Sequence, residues 1–245
     1  MCGRYAITSP PEALRRLFGY VEQPNFPPRY NIAPTQPIPL VHAARSLAGS
    51  VERRFLLARW GFLPGFVKAP GEFPLLVNAK SETVVEKPSF RAAMKRRRCL
   101  LPADAYYEWL RGPSPRAPKR PFLFRRADGQ PMGLAGLYET WSGADGSEVD
   151  TCCILTTSAN GATCAIHDRM PAILEPRDFT AWLDVDGVSA DAAQRLLRPA
   201  GQDVLEFFEI APVMNKVGAD GPALQTPLSA AGLGPPAAQS SNSLV

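Results

Sequence analysis

Short apolar runs, broken again and again by proline and glycine, set the limits on what this chain can fold into. Its 26 prolines are scattered through loops instead of gathered in one low-complexity block, and no internal repeat is present. Proline fixes φ and lacks a backbone N–H, so regular elements between such breaks stay short. Helical spacing predicts helices over residues 12–18, after the start signal Ser9-Pro10-Pro11, over 90–97 with Ser89 as cap, and over 176–183 and 191–197. Short strands are predicted at 55–62, 75–78 and 99–101. Three more, at 122–125, 133–140 and 152–157, are expected to be joined by turns at Asp128-Gly129 and Asp145-Gly146. Residues 24–39 hold six prolines and read as an extended, partly exposed loop, and 112–121 as a turn-rich connection. Short strands with interspersed helices define an α+β domain with one core over 1–218. From 219 to 245 Gly, Ala, Pro, Ser and Gln dominate, the composition of a disordered tail.

The composition excludes several classes. At 245 residues and 45% hydrophobic the chain can bury a sizeable core, yet no apolar run reaches the length of a membrane span. No basic stretch followed by an apolar segment opens the chain, so a secretory signal is not expected. The five cysteines (2, 99, 152, 153 and 164) are odd in number and contain no Cys-x-x-Cys. Cys152 and Cys153 lie in an apolar run, where buried free thiols are expected, and a reducing cytoplasm fits this usage. With only two histidines, a histidine-based metal site is not expected, and no cofactor is called for. A net charge of +4 permits nucleic-acid binding without requiring it.

A few polar residues stand out. Cys2 follows the initiator methionine and precedes a small residue. Trimming of Met1 would leave an α-amine and a thiol on adjacent carbons, a pair that condenses with an aldehyde to a thiazolidine. With ordinary pKa values near ~8 and ~8.5, both groups have usable nucleophilic fractions at neutral pH. Read blandly, Cys2 is the second residue of a disordered start. Asn78 ends an apolar strand, with Lys80, Ser81 and Glu82 after it; it reads equally as a site amide or a turn cap. Glu108 sits among aromatics in Ala105-Tyr106-Tyr107-Glu108-Trp109, either a desolvated proton carrier or an outward-facing residue of an alternating strand. His167, beside an Asp168–Arg169 pair, is a proton shuttle or an ordinary surface histidine. His42 has no assigned role. The run Lys95-Arg96-Arg97-Arg98 reads first as a solvated helix face. Phe66, exposed in Leu63-Pro64-Gly65-Phe66, has the chemistry to stack on bases.

Taken in order, Met1-Cys2-Gly3-Arg4-Tyr5, Arg29-Tyr30-Asn31-Ile32-Ala33-Pro34-Thr35, Trp60-Gly61-Phe62-Leu63-Pro64-Gly65, Asn78-Ala79-Lys80-Ser81-Glu82-Thr83, Pro102-Ala103-Asp104-Ala105-Tyr106-Tyr107-Glu108-Trp109 and Ile166-His167-Asp168-Arg169-Met170-Pro171 resemble the SOS response-associated peptidase family of abasic-site processing proteins. The resemblance covers residues 2–218. It implies one domain with a mostly antiparallel, twisted, barrel-like sheet and flanking helices. It also implies a DNA-repair role: capture of the ring-opened abasic aldehyde in single-stranded DNA as a thiazolidine cross-link through Cys2, with self-removal of Met1 and a possible lyase activity. Catalytic roles fall on Cys2, Asn78, Glu108 and His167. DNA contacts fall on Arg4, Asn31, Pro34, Phe66 and Lys80. The implied partner is single-stranded DNA, with no membrane, for a monomer in the cytoplasm that joins the nucleoid on binding. Lys80 stands where the family often has Arg, and Phe66-Val67 where it often has two aromatics. The competing readings are a thiol peptidase acting on other proteins and a non-covalent reader of single strands or modified bases.

Overall fold

The computed structural model describes residues 2–228, apart from Pro113, Pro115 and Arg116. In chain order its strands are β1 (Arg4–Ile7), β2 (Arg29–Ile32), β3 (Pro37–Arg45), β4 (Val51–Trp60), β5 (Asn78–Lys80), β6 (Arg98–Ala103), β7 (Ala105–Leu110), β8 (Arg120–Arg126), β9 (Met132–Ser142), β10 (Glu148–Ser158), β11 (Arg169–Pro171), β12 (Ile173–Leu174) and β13 (Leu205–Glu209). The helices are α1 (Pro11–Phe18), α2 (Arg91–Arg96), α3 (Phe179–Leu183) and α4 (Ala190–Gln194).

Two sheets organise these pieces. Antiparallel pairings β4–β3, β3–β6, β6–β9 and β9–β10, with the parallel pairing β10–β4, close a small barrel. Closure removes free sheet edges and lets the inward side chains fill the interior. Gly136 on β9 is required by that packing, since a Cβ there would meet Leu101 at 2.7 Å and the Cys153 carbonyl at 3.1 Å. The second sheet is antiparallel throughout, in the order β13-β8-β7-β1-β2. Chain passes from one sheet to the other at Asp104, between β6 and β7. Its carboxylate accepts from Thr8 N at 2.6 Å and Ser9 N at 2.8 Å, satisfying the amides that follow β1. The result is the expected single α+β domain with a mostly antiparallel barrel and a few helices.

Several local expectations are corrected. Residues 24–39 are not all loop: β2 occupies the proline-free Arg29–Ile32, and β3 begins at Pro37. Prolines 37 and 39 are tolerated because β3 pairs only with β4 there, its pairing to β6 beginning at Val41. Asp145-Gly146 does close the β9–β10 hairpin, with Gly146 at φ 81°. Asp128-Gly129, by contrast, joins β8 in one sheet to β9 in the other and closes no hairpin. Ser89 is not the cap of α2, whose N-cap is Phe90 with no side-chain hydrogen bond. The sequence reading ends the core near 218, whereas the buried set runs on to Leu224 and Leu228 is exposed. Leu224 is buried with Ala6, Tyr107, Phe208 and Met214, and Gln225 Nε2 donates to the Tyr107 hydroxyl at 3.0 Å. The rest of the expected tail, 229–245, lies outside the described residues.

Arg98, read as part of a solvated basic face, is 1% exposed. Its guanidinium donates to the carbonyls of Trp182 (2.6 Å), Met94 (3.0 Å), Asp184 (2.6 Å) and Val188 (2.9 Å). Burial lowers its pKa to about 10, still cationic at neutral pH. It joins α2 and the end of α3 to the barrel by satisfying carbonyls that helix ends leave open. Arg98→Met is expected to lower unfolding free energy by about 2–4 kcal/mol, since the carbonyls then stay buried without donors. Arg98→Lys should recover only part of it. Denaturant unfolding checks both, and an unchanged midpoint in Arg98→Met would refute the assignment.

Candidate functional site

The site forms where the two sheets meet at the N-terminal end of β1. β1 pairs antiparallel with β7, with Arg4 opposite Tyr107 and Tyr5 opposite Tyr106. One further step of that register sets Gly3 opposite Glu108, and Cys2 just beyond it. Edge-to-face packing of Tyr5 on Trp60, at 5.4 Å, and stacking of Tyr106 on Phe124, at 4.8 Å, fix the strands beneath. The third wall comes from β10. Its C-terminal half leaves the barrel and gains β5 as a parallel neighbour, Ile154 opposite Asn78, and β11 as an antiparallel one. From β5, Asn78 Nδ2 donates to the Cys2 carbonyl at 2.9 Å. Asn78 Oδ1 is buried and has no hydrogen-bond partner among the described residues.

Cys2 is fully buried, its thiol 3.9 Å from the Arg4 carbonyl. Burial, and then the nearby Glu108 carboxyl, push the thiol pKa up, so the resting group is an un-ionised thiol. Glu108 is 4% exposed, and burial raises its pKa above the ordinary carboxylate range against the pull of the amino-terminal positive charge. His167 is half-buried, and burial lowers its pKa. The amino-terminal charge adds to that effect and Asp168 opposes it. Glu108 also responds to Asp168, so these groups share one electrostatic neighbourhood. The His167 Nδ1 lies 3.0 Å from the Arg169 N–H and 2.9 Å from Asp168 Oδ1. One nitrogen cannot accept from the first and donate to the second at once. The lowered pKa favours neutral imidazole at neutral pH, with Nδ1 accepting from Arg169 and the proton on Nε2.

Sequence reasoning paired Arg169 with Asp168. Instead Arg169 grips Glu82 with both nitrogens of its fork, at 2.6 and 2.9 Å, because adjacent residues of an extended segment point to opposite sides. The other candidates divide. Arg4 is half-buried and donates through Nη1 to Asn31 Oδ1 at 2.7 Å. With Trp109, Lys119 and Asn215 it lines a cavity of about 390 Å³ beside the site, and only Arg4 of these four was picked out from the sequence. Asn31 is buried, and its amide nitrogen is spent on the carbonyls of Lys216 (3.0 Å) and Ala219 (2.8 Å). It braces Arg4 and offers no free edge. Pro34 is half-buried in the β2–β3 turn. The next residue, Thr35, is exposed and held at φ 74°, a costly conformation for a β-branched residue, while its N–H donates to the Trp60 carbonyl at 2.7 Å. Phe66 is 60% exposed and touches Phe73 edge-on. Lys80 is exposed at the end of β5.

No helix among the described residues is long and apolar enough to cross a membrane. A small α+β barrel carrying a buried cysteine at residue 2, its carbonyl held by an amide and its thiol facing the charge of a buried carboxyl, defines a protein built around its own amino terminus. The model of the SOS response associated peptidase (SRAP) family matches residues 1–218, and the chain belongs to that family. It is 32% identical over 228 residues to the abasic site processing protein YoqW of Bacillus subtilis, covering 91% of this chain and 98% of that one. It is 29% identical over 261 residues to the abasic site processing protein HMCES of Rattus norvegicus, covering 88% and 72%. A crystal structure of a Bacteroides thetaiotaomicron protein shares the fold with a TM-score of 0.78 at 23% identity, over 92% of this chain and 99% of that one. One from Bordetella bronchiseptica gives 0.71 at 27%, over 86% and 100%.

Proposed function

We propose that this protein processes abasic sites in single-stranded DNA, capturing the ring-opened sugar aldehyde as a thiazolidine on Cys2 after Met1 has been removed. The observation that carries the reading is how residue 2 is held. Asn78 grips its backbone carbonyl, Glu108 lies beside it, and the thiol is kept un-ionised. A site for a thiolate nucleophile would depress the thiol pKa, as cysteine hydrolases do, and this one raises it. The reading as a thiol peptidase on other proteins is therefore the weaker one. The relatives named as abasic site processing proteins favour the same choice.

The steps balance as follows. The unprotonated Cys2 amine adds to C1′ of the open sugar, giving a carbinolamine. Loss of hydroxide with a proton releases water and leaves an imine. The thiol sulfur then adds to the imine carbon while its proton passes to nitrogen, closing the five-membered ring. Glu108 takes the amine's excess proton and returns one to the departing hydroxyl. His167, neutral with a proton on Nε2, assists sugar ring opening. Asn78, whose carbonyl oxygen has no partner among the described residues, orients the amino end of residue 2. Arg4 and Lys80 bind flanking phosphates, while Pro34 and Phe66 lie against bases beside the lesion. An abasic nucleotide has no base to unstack, so presenting it costs little. Running the steps backwards gives reversal, and at the imine stage abstraction of the C2′ proton, with formation of the C2′=C3′ double bond and expulsion of the 3′ phosphate, gives a lyase.

Incubation with single-stranded DNA carrying one abasic site, followed by denaturing electrophoresis, is expected to give a heat-stable adduct. Intact DNA is expected to give none. No adduct from protein shown by intact mass to lack Met1 would overturn the reading. Non-covalent binding should prefer single strands, with Arg4→Ala weakening it across all sequences and flattening the log–log salt slope by about 0.7. Equal affinity for intact duplex would count against it.

A further inference from the structure

We propose that Arg169 is a positioning residue: by its ion pair with Glu82 it bolts the His167 loop to the turn that follows β5, the strand that opens with Asn78. The inference rests on the reading of His167 as a proton carrier. Thr156 of β10 pairs with Lys80 of β5 on one side and with Pro171 of β11 on the other, so β10 separates the two segments. Arg169 reaches across it. Its Nη2 donates to the Thr156 carbonyl at 2.6 Å, and its fork closes on both oxygens of Glu82, in the turn that follows β5. That turn is fixed in its own right, since Gln194 of α4 donates to the Ser81 carbonyl at 2.8 Å. The guanidinium side chain is 13% exposed, and a bidentate pair sets both distance and angle. The same residue's backbone N–H donates to His167 Nδ1, so fixing Arg169 fixes the imidazole and leaves its proton on Nε2.

The consequence is electrostatic as well as geometric. Asp168, Arg111 and the amino terminus are among the charges that act on His167, and the leading influence on its pKa is burial. Releasing the clamp admits water to the ring, which relieves the desolvation and moves the pKa up toward the ordinary histidine value of about 6.5. A displaced ring also delivers its proton badly, and misplacement by an ångström costs about 10²-fold in well-ordered sites.

The test uses the DNA-free protein first. With two histidines in the chain, NMR titration of the imidazole C2 protons resolves both, and His42→Asn assigns them. Glu82→Gln and Arg169→Gln are each expected to raise the His167 pKa. Each should also slow single-turnover cross-linking at saturating protein by about tenfold or more. The reversed pair Glu82→Arg with Arg169→Glu should restore part of both, and Arg169→Lys, which keeps the charge and loses the fork, should fall between. Wild-type titration in both glutamine variants would overturn the proposal. So would a loss of DNA affinity confined to Arg169→Gln with Glu82→Gln unaffected, which marks Arg169 as a phosphate contact. If Arg169→Gln does not fold, Glu82→Gln and Arg169→Lys decide the matter alone. The titration needs no adduct, so it judges Arg169 even if the covalent reading fails.

Discussion

Cys2→Ala is expected to abolish the heat-stable adduct with abasic single-stranded DNA while leaving DNA binding close to wild type. Alanine keeps the α-amine, so the first half of the reaction survives and an imine still forms. An imine without a neighbouring thiol hydrolyses during denaturation. It should become visible only when borohydride reduces it in place. Cys2→Ser tests the ring itself. Its hydroxyl can close an oxazolidine, which returns readily to the imine, so it too should give no stable product. The buried, un-ionised thiol sharpens the contrast. A thiolate acting first would make the alanine variant silent even with borohydride, whereas an amine acting first leaves it trappable. A stable adduct at wild-type yield in Cys2→Ala would sink the thiazolidine mechanism. Failure of borohydride to trap the alanine variant would reverse the assigned order of amine and thiol.

What the sequence makes legible, and what it hides, follows from the distance over which each feature is decided. The Asp145-Gly146 turn is read correctly because its flanking strands pair with each other, and glycine supplies the positive φ on the spot. Asp128-Gly129 carries the same local signal, yet its flanking strands go to different sheets, which no local rule can see. The barrel's closing pair sets Arg59 opposite Thr151, a contact between remote parts of the chain. The four expected catalytic residues are drawn from four separate segments, and the structure seats Cys2, Asn78 and Glu108 together through the β1–β7 register and the β5–β10 pairing. Charged and polar side chains were misread where tertiary acceptors decide their fate. Arg98 looks like one of four surface cations until the carbonyls of α2, α3 and the segment after it converge on its guanidinium. Asn31 looks like a DNA contact until the 212–220 segment folds back and takes its amide. Trp109 and Lys119 were passed over, since an aromatic on β7 and a lysine just before β8 form a basic cavity only once Arg4 lies beside them.

Glu108→Gln separates chemistry from architecture, because the carboxyl's burial makes opposite predictions for the two. As a proton carrier its loss is expected to slow cross-linking by about 10²–10⁴-fold at saturating protein, with DNA affinity little changed. Its folded pKa is raised above the ordinary carboxylate range, chiefly by burial. The ionised form that acts as base therefore appears only above that raised value. The wild-type rate should climb with pH through a window lying higher than an exposed glutamate would give, and Glu108→Gln should lack that limb. For stability the sign runs the other way. A carboxyl whose pKa is higher folded than unfolded holds its proton more tightly in the native state. Its contribution is most favourable below the unfolded pKa and declines as pH rises through the folded one. Glutamine is a near-isostere with no charge to desolvate, so at neutral pH Glu108→Gln should unfold no more easily than wild type, and its stability should vary less with pH over that window. A purely structural Glu108 would give the reverse pattern, a destabilised variant that cross-links at the normal rate. Pairing single-turnover kinetics across pH 5–9 with denaturant unfolding over the same range distinguishes the two, and the normal-rate, lowered-stability result would remove Glu108 from the mechanism.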